Sequence, residues 1–101
     1  MATIVYPTTN TNTPTIASAA TALAANSARI SWQIQNSGTN PIFLLLGSGA
    51  STTVFHMVLK GGTGNDDGLG ASFSQQNGVV YTGIVTIAGT SPRYVVLEMA
   101  P

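Results

Sequence analysis

Charge is what this chain lacks most. Only Arg29, Lys60, Arg93, Asp66, Asp67 and Glu98 are formally charged, and the net is zero. Ordinary globular domains carry about 25% charged residues, against 6% here. Nucleic-acid binding requires Lys and Arg to displace condensed counterions, and three dispersed cations cannot supply that, so no nucleic-acid partner is expected. Cysteine is absent, which excludes a disulfide framework and thiolate metal sites. Histidine occurs once, at position 56, too little for a histidine-based zinc centre. The longest wholly apolar run is about five residues, far below the ~20 that a membrane helix needs, so no membrane partner is expected. No basic segment leads into an apolar one, so no secretory leader is expected.

Apolar residues make up 44% of the chain, which separates it from disordered sequences. A length of 101 residues suits one domain with a single core. The remaining surface is Thr, Ser, Asn, Gln and Gly, the composition of a protein packed against neighbours rather than of a charged, freely soluble monomer.

The chain is organised around residues 24–47. Ile30, Trp32 and Ile34 alternate with Ser31, Gln33 and Gln35, a strand with one face in a core. Asn36 to Pro41 is a turn by composition, with Gly38 free to take positive φ. Ile42–Leu46 reads as a strand buried on both faces. Upstream, residues 1–15 read as an extended N-terminal arm that packs on a neighbour: Ile4-Val5-Tyr6 is an apolar anchor, Pro7 follows, and Thr8 to Thr13 contains only Thr and Asn. Residues 16–28 are alanine-rich with few large apolar residues, and helix and paired short strands are both open.

Downstream, Val54 to Lys60 alternates, with Phe55, Met57 and Leu59 on one face. Gly61 to Gly70 is a glycine-rich loop. Residues 71–77 read as a polar stretch that Phe73 plugs into the core. Val79 to Ala88 reads as a long strand broken at Gly83 by a bulge or close backbone crossing. Residues 89–92 read as a hairpin turn, and Arg93 to Met99 as the last strand. The pattern predicts an all-β fold: a small antiparallel β-sandwich or jelly-roll-like barrel of about seven or eight short strands over residues 16–101.

Three stretches carry a resemblance. Leu23-Ala24-Ala25-Asn26-Ser27-Ala28-Arg29 forms an asparagine-and-arginine turn. Ile34-Gln35-Asn36-Ser37-Gly38-Thr39 ends a strand in I-x-N before a small polar turn, and Asn40-Pro41-Ile42-Phe43-Leu44 follows as P-[IV]-[FY]-[VL]. Over about residues 16–97 the chain resembles the small β-sandwich virion proteins of tailed bacteriophages. The resemblance implies a capsid decoration (cement) protein, made in the host cytoplasm and bound to the outer surface of the virion capsid. It further implies the major capsid protein as partner, and self-association as a homotrimer. A head-fibre or tail module that binds host receptor or glycan is the alternative. Ile4, Val5, Tyr6, Pro7 and Tyr81 are the candidate interface residues, since apolar and aromatic anchors dominate such contacts.

No catalytic residue, metal ligand or cofactor is expected. Gly61 to Leu69 resembles one calcium-binding nonapeptide, yet Gly68 stands at its hydrophobic position and such motifs bind calcium between stacked copies. His56 has no nucleophile elbow to serve. Trp32, between two isoleucines, reads as core rather than as a sugar platform.

Overall fold

The computed structural model describes residues 6–13, 18–76 and 78–100, with side chains from residue 18 onward. Eight strands are present among them: β1 (Tyr6–Thr13), β2 (Ala19–Leu23), β3 (Ser31–Asn36), β4 (Ile42–Leu46), β5 (Met57–Leu59), β6 (Ser72–Gln76), β7 (Val85–Gly89) and β8 (Tyr94–Ala100). No described residue is helical. The strands form two four-stranded antiparallel sheets, ordered β1-β8-β3-β6 and β2-β7-β4-β5. The pairings β4·β5, β3·β6, β2·β7 and β1·β8 describe one long hairpin folded at β4–β5 and rolled into two layers. That is a jelly roll, an open two-sheet sandwich rather than a closed barrel.

The layers meet on the alternating faces of their strands. Trp32, Ile34 and Val96 of the first sheet pack on Ile42, Leu44, Val85 and Ile87 of the second, all essentially inaccessible to water. Phe73 meets the Trp32 ring edge-on, centroids 5.5 Å apart. β8 follows the period-two rule throughout, with Tyr94, Val96, Glu98 and Ala100 inward.

Two polar locks close the ends of this core. At the head of β3, the Arg29 guanidinium is buried. Its Nε donates to Glu98 Oε2 at 2.7 Å, Nη1 to the carbonyls of Tyr81 (2.7 Å) and Gly83 (3.0 Å), and Nη2 to the Ala24 carbonyl (2.7 Å). At the tail of β3, Asn36 Nδ2 donates to the carbonyls of Asn40 (2.7 Å) and Leu59 (2.9 Å), and Oδ1 accepts from the Gly38 N–H at 2.9 Å. The backbone crowds closely here. A Cβ on Gly70 would collide with the Asn36 carbonyl oxygen, so that position has room only for glycine.

Several sequence expectations change. Residues 16–28 contain a strand, β2, where helix had been open. Residues 79–84 are not strand, because the carbonyls of Tyr81 and Gly83 are taken by Arg29 instead of a ladder; β7 begins at Val85. At Gly83 the close approach is made by the Tyr81 side chain rather than by a crossing backbone. The polar stretch 71–77 supplies β6, an edge strand with Phe73 turned inward and Ser72, Ser74 and Gln76 exposed. The turn after β7 is no hairpin: it carries the chain between sheets. Gly38 is selected by space rather than by φ, since a Cβ there would lie 3.0 Å from Arg93 Cβ. β4 is fully buried only on its inner face: Ile42 and Leu44 are inaccessible, while Phe43 and Leu45 are half-buried. Tyr6–Thr13, part of the stretch read as an arm, runs along the chain's own β8 as the outer strand of the first sheet.

Arg29→Ala strips Glu98 of its cation and three carbonyls of their donors, and is expected to cost about 3–5 kcal/mol. Arg29→Lys recovers less than half, because one ammonium cannot span the fork. Asn36→Ala is expected to cost about 2–3 kcal/mol by leaving buried backbone groups without partners. Urea midpoints of the three variants check this; a cost below about 1 kcal/mol for Arg29→Ala refutes the lock.

Candidate interaction surface

Charge on this molecule is spent within it. Arg29 and Glu98 are paired in the core, and Arg93 Nη2 pairs with Asp66 Oδ2 on the surface. Asp67 is turned into its own loop: Oδ2 accepts from the Thr63 N–H (2.9 Å), the Thr63 hydroxyl (2.8 Å) and the Gly64 N–H (2.8 Å), and Oδ1 from the Leu69 N–H (2.9 Å). These bonds favour the carboxylate, with the Leu69 N–H contributing most, and lower its pKa from 3.8 to about 2. The backbone N–H of Asp66 donates to the Ser37 carbonyl at 2.7 Å, and that of Gly62 to the Gly38 carbonyl at 2.9 Å. The glycine-rich loop is thus stapled over the Asn36 end of the sandwich. Both aspartates act as structural hubs, and no three His, Cys, Asp or Glu side chains converge among the described residues.

Apolar side chains are left on the outer face of the second sheet. Phe43 on β4 stands opposite Val58 on β5, both pointing away from the core. The loop before β5 adds Val54 and Phe55. A tight turn, in which Ser51 Oγ accepts from the Thr53 and Val54 N–H groups at 3.2 and 3.0 Å, presents this pair. The Phe55 ring meets Phe43 edge-on, centroids 5.0 Å apart. Val54, Phe55 and Val58 are 51%, 39% and 46% exposed. His56 clasps the end of β4, its N–H donating to the Leu44 carbonyl (2.7 Å) and its Nδ1 accepting from the Leu46 N–H (3.0 Å). Sequence alternation placed Phe55 on one face with Met57 and Leu59; only Met57–Leu59 is strand, so the alternation stops short of Phe55.

The residues singled out for an interface fall in separate places. Ile4 and Val5 lie outside the described residues. Tyr6 and Pro7 pair with Ala100 and Met99 at the edge of the first sheet. Tyr81 is half-buried in the connection into β7. Its N–H donates to Gln75 Oε1 (2.8 Å), which also accepts from Trp32 Nε1 (3.0 Å). Trp32 itself is 2% exposed and belongs to the core.

Strand order defines the chain as an eight-stranded jelly roll, an architecture that hosts many functions. No known protein family, curated protein or solved structure matches it.

Asp67 gives this surface a pH signature. Its folded-state pKa lies below the unfolded value, so its contribution to loop order is complete above about pH 4 and is lost as pH falls through about 2. An NMR titration should place the carboxyl near 2, with amide exchange at Gly64 and Leu69 accelerating over the same interval. A carboxyl titrating near 3.8 would refute the hub.

Proposed function

We propose that this chain is a structural virion protein, a capsid decoration (cement) protein that binds the outside of a tailed-phage head between capsomers and stabilises it. The observation that carries the reading is the distribution of charge. Five of the six charged side chains are held by partners within the chain, which leaves a neutral hydroxyl- and amide-rich exterior that carries an apolar patch at Phe43, Val54, Phe55 and Val58. Such a surface suits extended, shape-matched contact with many modest hydrogen bonds and no desolvated charge. The major capsid protein is the partner, self-association accompanies binding, and the jelly roll is an architecture shared by capsid proteins, which supports the reading by analogy.

One observation favours a second reading, a head-fibre or tail module that binds host glycan: Phe55 keeps part of its ring in water beside Phe43. The two readings differ in copy number. Quantitative mass spectrometry of purified particles should find this chain at a ratio near one to the major capsid protein. A handful of copies per particle would favour the fibre or tail module, and absence from particles would end the virion reading.

Phe55→Ser and Val58→Ser test the patch. Both side chains are substantially exposed, so stability should change by no more than about 1 kcal/mol. Attachment to heads is expected to weaken at least about tenfold. Unchanged attachment with both substitutions in place would move the contact elsewhere.

A further inference from the structure

An open sandwich has four sheet edges, and three of these carry protection. β1 contains Pro7 and a register irregularity beside it. β2 has a register irregularity between Thr21 and Leu23. β5 is three residues long and runs into Lys60. These are devices that keep an edge from pairing with another chain. β6, S-F-S-Q-Q, has none: no proline, no charge, no bulge, and five residues in regular register with β3.

The direction of its free groups follows from the ladder. The Asn36 N–H donates to the Ala71 carbonyl at 2.9 Å, and hydrogen-bonded pairs alternate along an antiparallel ladder. Phe73 and Gln75 therefore turn their backbone groups toward β3. Ser72, Ser74 and Gln76 turn theirs outward, and all three residues are exposed. Leu69 and Val79 flank the strand, each five positions from Ser74. At 67% and 73% exposed they are the most exposed large apolar side chains described. No charged residue occurs from 68 to 92.

We propose that β6 is a homodimer interface, in which a second copy of this chain pairs antiparallel, edge to edge, about a two-fold axis through Ser74. In that register Ser74 faces Ser74 of the second copy and Ser72 faces Gln76, so every outward backbone group finds a partner. Leu69 and Val79 of each copy lie beyond the two ends of this contact. The register selects a second copy as the occupant, because the outward groups of Ser72, Ser74 and Gln76 are complementary to themselves about the two-fold, and identical surfaces meet there without like-charge repulsion. The contact is small beside the ~800 Å² per partner of standard stable interfaces, so dimerisation is concentration-dependent. It is two-fold, unlike the three-fold association implied by the resemblance, and it is independent of the virion reading. It leaves the Phe43–Phe55 patch, on the other sheet, free for a further partner.

Sedimentation velocity of the full chain from about 1 µM to about 1 mM should show a monomer passing to a dimer. Ser74→Lys places two cations at the two-fold axis, and Ser74→Pro removes an outward N–H that bonds no described residue. Each is expected to keep the wild-type circular dichroism spectrum and to raise the dimer dissociation constant at least about tenfold. Mixing Ser74→Lys with Ser74→Glu should restore dimer, as a heterodimer. A chain that stays monomeric to about 1 mM overturns the proposal, as does any oligomer that the folded Ser74→Lys variant leaves intact.

Discussion

The guanidinium of Arg29 is the point on which the fold depends. A charge buried between two sheets is tolerable only when it is paired and its donors are satisfied. Here the fork reaches three separate parts of the chain through four acceptors: the end of β2 through Ala24, the irregular segment through Tyr81 and Gly83, and β8 through Glu98. Backbone bonds tie the first two together, through the β2–β7 ladder and the Asn26 N–H on the Thr82 carbonyl, and the side chain adds the link from both to β8. It also explains an apparent weakness. The stretch from Val79 to Ile84 is apolar enough for a strand, yet its Tyr81 and Gly83 carbonyls are taken by a cation.

Asn36 performs the corresponding task at the other end of β3. An amide carries both donor and acceptor, so one neutral side chain ties Gly38, Asn40 and Leu59 together without introducing charge. Around it the glycine-rich loop is held by Asp66 and Asp67. Between the two locks lies an apolar core that needs no polar group of its own. The exterior inherits the result: with five of its six charges engaged at the ends and in one loop, the molecule shows its surroundings hydroxyls, amides and exposed apolar side chains.

How much of this could be read from the chain follows from what each residue contacts. β3, β4 and β8 were legible because their inward residues alternate or run continuously, and local periodicity reports burial of a face. β6 was missed because an edge strand with one inward Phe and four polar residues looks like a loop. The turn at residues 89–92 was misread because a jelly roll joins successive strands across its layers, while hydrogen-bonded neighbours are distant in sequence. The role of Arg29 was half visible, in a turn that delivers it to the head of a strand. Its partner Glu98, 69 positions away, was not. The apolar patch was hidden for a related reason: strand periodicity grouped Phe55 with Met57 and Leu59, but the strand does not reach it.

The rolled pairing also fixes an order of events. β8 lies between β1 and β3 and brings Glu98 to Arg29, yet it is the last of the eight described strands to be synthesised. Until it emerges, β1 has no partner strand, β3 has a bare edge and the Arg29 fork lacks its carboxylate. At about 5–20 residues per second, synthesis from β1 to β8 takes several seconds or more. Over that interval the nascent chain holds apolar strands that cannot yet close. A sequence with few charges has little electrostatic repulsion to keep such chains apart, so growing copies on one message are exposed to pairing with one another until β8 closes the sheet.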